Sequence, residues 1–150
     1  MILVGFGGYR AWDTLAGGDD TPPAVLPTGT GYADSANRAA FHANVAILLG
    51  LNLRILKDAY KFQYDVNKEI EGLRAERANL ERLATGATGA RADILRSSIQ
   101  ATQTLETGMT QWRDAIFNLR LGAVEPAQSV IETGVAQLEA SIERWRSLGA

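Results

Sequence analysis

Apolar side chains recur at helical spacing along most of this chain, and the places where the pattern fails mark the elements. Val45, Asn52, Ala59, Val66, Leu73 and Leu80 fall at seven-residue intervals, with Leu48, Ile55, Phe62 and Leu83 three positions on. Glu69 and Glu76 interrupt the second series, and Ile70 stands in one residue later. That is a heptad seam with some drift. With Asp34 or Ser35 as the N-cap, it predicts one continuous helix over about residues 35–84. At 1.5 Å per residue such a helix is a rod of roughly 75 Å.

Residues 84–90 (Ala-Thr-Gly-Ala-Thr-Gly-Ala) break the pattern. Gly86 suits a left-handed helix terminus and Thr88 an N-cap. A second helix over about 90–121 follows, with Leu95, Thr102, Met109 and Ile116 on one line and Leu105, Trp112 and Leu119 beside it. Gly122 is expected to stop it. Pro126 fits the first turn of a third helix over about 125–148, whose apolar line is Val124, Ile131, Leu138 and Trp145, flanked by Val135 and Ile142. Short connections make sequential helices antiparallel. The predicted fold is therefore all-α: a long first helix with a helical hairpin folded back on it, a coiled-coil-like three-helix antiparallel bundle. Residues 35–48 would project beyond the bundle.

The first 32 residues differ in kind from residues 33–150. Gly5, Gly7, Gly8, Gly17, Gly18, Gly29 and Gly31, with Pro22, Pro23 and Pro27, leave no helical period standing. This stretch reads as an extended arm preceding the bundle. Trp12, beside Tyr9 and Arg10, has the composition of a docking anchor.

Residues 45–56 are apolar nearly all round a helix, and such a helix is covered all round. In the predicted register the hairpin does not reach Phe41, Val45, Leu48 or Leu49. Two covers remain: the arm of the same chain, or the same segment of a second subunit. Asn52 at a core heptad position is a device that sets register and subunit number; bonding to a nearby backbone carbonyl is the plainer alternative. The candidate interface residues are Trp12, Phe41, Val45, Leu48, Leu49 and Asn52.

Composition narrows the chemistry. The 150 residues contain no cysteine, which excludes disulfides, thiolate metal sites and thiol catalysis. Net charge is −2, with residues 1–37 at −3 and the remainder at +1. No basic stripe interleaves with aromatics, so nucleic acid is not an expected partner. Residues 1–6 are apolar but short and lack a basic flank, a poor signal peptide. The stretch 45–56 is too short to span a bilayer. The glycines at 5, 7 and 8 follow an apolar run, but Arg10 stands where a dinucleotide-binding loop needs its third glycine. His42, the single histidine, has Arg38, Ala39, Val45 and Ala46 as its helical neighbours, so no local carboxylate orients it. Asp19-Asp20 reads as a solvated turn, and Trp112 and Trp145 as core.

These features point away from an enzyme and from any metal, cofactor or small-molecule substrate. They point to a soluble, homo-oligomeric helical building block that contacts copies of itself and other assembly proteins. By architectural analogy alone, virion components of bacterial viruses (tail, neck or internal) and secretion-appendage subunits combine such features, the chain being cytoplasmic before assembly. Two rival readings are a membrane-active or ejected protein, whose residues 1–6 and 45–56 meet lipid, and a monomeric adaptor for another protein.

Overall fold

A computed structural model describes residues 26–51 and 58–149. The arm over residues 1–25, including Trp12, lies outside the described residues, as does Asn52. Four helices and no strand are present among the described residues: α1 (Tyr32–Leu51), α2 (Ala59–Thr85), α3 (Gly89–Phe117) and α4 (Leu121–Ser147).

The first expectation needs correction. In place of one rod over 35–84, α1 and α2 are separate helices that pack on each other. Ser35 and Arg38 reach Glu76, and His42 reaches Glu69. Partners whose numbers rise on one helix and fall on the other mark an antiparallel pair. Residues 35–48 therefore lie against the bundle and do not project from it. The cause is visible in the facing surfaces. Ala36, Ala39, Ala40, Ala43 and Ala46 are buried on α1, and Phe62, Val66, Ile70, Leu73 and Leu80 on α2. A small-residue stripe against a large-residue stripe lets two helices approach closely and interdigitate. One long rod would leave both stripes in water.

The remaining order follows as read. α2 packs on α3, α3 on α4, and α1 touches both α3 and α4, an up-down-up-down arrangement around a single core. Leu95, Thr102, Met109, Leu105, Trp112 and Ile116 on α3, and Ile131, Val135, Leu138 and Ile142 on α4, are buried as the seams required. α3 and α4 approach each other closely. A Cβ on Gly108 would lie 2.9 Å from the backbone nitrogen of Ile131, and one on Gly134 2.6 Å from Leu105 Cδ2.

The helix ends differ from the sequence reading in two places. Between α2 and α3 the left-handed residue is Gly89 (φ 62°), while Gly86 caps α2 at φ −103°. Between α3 and α4 the stop comes before Gly122. α3 ends at Phe117, with the Arg120 N–H donating to the Ala115 carbonyl (2.7 Å) and the Leu119 N–H to the Ile116 carbonyl (3.1 Å). That bonding pattern is a Schellman cap, whose left-handed position is normally glycine. Here it is Leu119, at φ 56°. The heptad pattern places Leu119 in the core; with the helix over two residues earlier, it is 70% exposed. Replacing Leu119 by glycine relieves the left-handed strain and is expected to raise stability by about 1 kcal/mol. Urea unfolding measures this, and an unchanged or lower midpoint would show that Leu119 packs against something. Pro126 sits inside α4, beyond its first turn.

Candidate functional site

α1 carries four of the six residues singled out from sequence, Phe41, Val45, Leu48 and Leu49. Its buried set, from Tyr32 through Ala39 and Ala43 to Ala46 and Ile47, occupies one side. Phe41 is nine residues from Tyr32, half a turn away around the cylinder, and Val45 and Leu48 continue its line. All three are half-buried, on the side facing away from the core. Phe41 packs edge-on against His42, with ring centroids 6.1 Å apart. Leu49 lies nearer the α2 side and packs against the core, so the bundle reaches one of the four residues expected to lie beyond the hairpin.

Beside this face runs a polar ladder joining α1 to α2. Glu76 accepts from Arg38 Nε (2.9 Å), Arg38 Nη2 (3.1 Å) and the Ser35 hydroxyl (2.7 Å). One helical level on, His42 Nδ1 and Glu69 Oε1 are 2.8 Å apart. His42 thus does gain a carboxylate, from across the hairpin and not from its own helix. The imidazole also lies over Gly72, where a Cβ would come within 2.6 Å of Nε2. The ring fills the space that a missing side chain leaves. Local spacing could not reveal the pairing, because residues 42 and 69 become neighbours only when the chain folds back.

Further staples join the other helices. Glu106 on α3 accepts from Arg74 Nε (2.8 Å) and Arg77 Nη2 (2.6 Å) on α2, and Arg74, with Arg77 beside it, holds the Glu106 carboxyl below the usual range. Arg113 Nη1 donates to Asn67 Oδ1 (2.8 Å). At the end of the bundle where α1 begins, the Tyr32 ring stacks on Trp145 with centroids 4.4 Å apart, and the Arg91 guanidinium lies 5.0 Å from the Trp145 ring. The Tyr32 hydroxyl meets Ser98 Oγ at 2.7 Å, and burial raises its pKa. Each of these groups ties one helix to another. The described residues contain no group of three or more His, Cys, Asp and Glu side chains placed to hold a metal.

Glu139 on α4 is the exception among the carboxylates, since burial raises its pKa to about 7. A folded-state pKa above the ordinary value of 4.5 means the folded chain holds more protons than the unfolded one between those values. Stability is therefore highest at the acidic end of this window and falls as pH rises through 7. The loss should be about 1 kcal/mol once screening at this half-buried position is allowed for. Glu139→Gln should abolish that slope. Thermal unfolding between these pH limits checks it, and a slope that survives the substitution would assign it elsewhere. Glu106 acts in the opposite sense, its contribution being lost only as pH falls below the ordinary carboxylate range.

Large apolar side chains gather at the opposite end. Leu51, Tyr60, Leu119 and Leu121 are all exposed there, at 42%, 77%, 70% and 78%. Tyr60 lies edge-on to Phe117, with centroids 5.5 Å apart. Periodicity does not reveal this cluster, because it places Leu119 in the core and runs the second predicted helix through residue 121.

No family model, curated protein or solved structure matches this chain. No helix among the described residues is long and apolar enough to cross a membrane.

Proposed function

We propose that this chain is a non-enzymatic structural component that self-associates, a helical block used in building a larger assembly. The observation that carries this reading is the line Phe41, Val45 and Leu48 on α1, three apolar side chains on the side of their helix that faces away from the core. A helix is ordinarily polar on that side, and a row of apolar residues there is what a second copy would cover. The non-enzymatic part rests on how the polar groups are used: Glu76, Glu69, Glu106 and His42 hold helices together. A virion or secretion-appendage role is the finer form of the proposal and rests on architectural analogy.

Light scattering on the full chain over a range of micromolar concentrations tests the reading. The wild type should exceed the monomer mass, and Phe41→Gln with Leu48→Gln should shift it toward the monomer with helical content retained. A wild type that stays monomeric throughout overturns the proposal.

A further inference from the structure

We propose that the bundle end bearing Leu119 and Leu121 docks on a lipid bilayer surface, its leucines seated at the boundary between headgroups and acyl chains. The argument begins with the α3–α4 turn. Leu119 occupies a left-handed backbone position that glycine would fill with less strain, and its side chain is 70% exposed. Two residues on, Leu121 is 78% exposed at the first position of α4. Among the described residues nothing packs over either leucine, and both incur a solvation penalty. Local strain that the fold does not require is a pointer to function.

The surroundings indicate what receives them. Tyr60 is 77% exposed at the same end, with Leu51 also open; tyrosine, with an apolar ring and a polar tip, suits the membrane–water interface. Between the two leucines stands Arg120, which has no ion-pair partner among the described residues and would meet anionic headgroups. Shape argues against a second copy here. Among the described residues, two helices across in each direction, each about 10 Å wide, give an end face of roughly 400 Å2. A stable protein partner buries about 800 Å2 per side. A small apolar tip beside a cation is too little for a dimer and sufficient for shallow insertion, where each leucine acts singly.

The test is co-sedimentation of the full chain with vesicles of phosphatidylcholine alone and of phosphatidylcholine and phosphatidylglycerol in equal parts. The wild type should bind the anionic vesicles. Leu119→Asn with Leu121→Gln should lower the partition coefficient at least about tenfold, and Arg120→Gln about fivefold on anionic vesicles only. Leu119→Gly separates binding from folding, since it should raise stability while weakening vesicle binding. The absence of cysteine allows a single polarity-sensitive label. At Leu121→Cys its emission should shift to the blue on vesicles, and at Arg146→Cys, on the opposite end, it should not. Failure to bind either vesicle, equal binding by the double leucine variant, or equal shifts at both labels overturns the proposal. So does a double variant that loses self-association but keeps vesicle binding, which would give the tip to a second copy.

Discussion

Trp112→Ala should cost about 3–5 kcal/mol, a large part of the stability of a domain this size. The indole is fully buried, and its Nε1–H donates to the Ala46 carbonyl at 2.8 Å. It rests against α1 where Gly50 leaves room, since a Cβ at that position would lie 2.4 Å from the ring. One side chain of α3 therefore fixes the last turns of α1 by volume, shape and a hydrogen bond. Truncation removes all three and leaves a cavity between α1 and α3. Trp112→Phe keeps most of the volume and loses the hydrogen bond, so its cost should be smaller, about 1–2 kcal/mol. Urea unfolding followed by circular dichroism measures both. A cost below about 1 kcal/mol for the alanine variant would mean that α1 does not seat on Trp112.

The second large effect is expected at Glu76. Its side chain and that of Arg38 are only 12% and 15% exposed, and three donors on α1 converge on its two oxygens. Removing the carboxylate leaves a shielded guanidinium without its counter-charge and a buried Ser35 hydroxyl without its best acceptor. Breaking a shielded pair from one side costs more than the pair contributes. Glu76→Ala should lower stability by about 2–4 kcal/mol. Glu76→Gln retains an acceptor for Ser35 and should recover part of the loss. Arg38→Met in the Glu76→Ala background should also recover some, because it removes the stranded charge. If the double variant is no more stable than Glu76→Ala, the stranded charge is not what makes the loss large.

The two effects bear on the same feature, the seating of α1 against the rest of the bundle, and this is where sequence reading and structure part. The helical class, the α2–α3 turn and most of the α3 and α4 core could be read from periodicity alone. Leu105, Met109, Trp112, Ile131 and Leu138 lie on the seams they were assigned to. Periodicity fails over residues 45–83 because a heptad seam can be satisfied by a continuous helix or by a helix folded back on itself, and one-dimensional spacing is the same in both. The distinguishing signals were present but lay off the seam. One was the run of alanines at 36, 39, 40, 43 and 46, a stripe that needs a large-residue partner. Another was the sign match of Arg38 with Glu76, which helical neighbours do not explain. The α3–α4 stop was illegible for a different reason: Schellman caps are recognised by glycine, and this one is built on Leu119.

The fold-back also changes what the apolar segment implies. Sequence suggests that four residues of α1 lie beyond the reach of the helical hairpin. In the structure Leu49 is taken into the bundle, while Phe41, Val45 and Leu48 remain on its outer side. The apolar surface left to explain is therefore smaller than a whole projecting rod. Among the described residues it includes the outer line of α1, for which self-association is proposed, and the tip at Leu119 and Leu121, for which lipid is.

The return of α1 along α2 is tested most directly by one intramolecular distance. Ala33 on α1 and Ala78 on α2 are both exposed, and the natural chain has no cysteine to interfere. Spin labels on Ala33→Cys and Ala78→Cys, diluted with unlabelled protein, should report a separation within about 25 Å, as for neighbouring helices 8–10 Å apart with label linkers added. A separation of roughly 65 Å, the length of 45 residues in one unbroken helix, would contradict it.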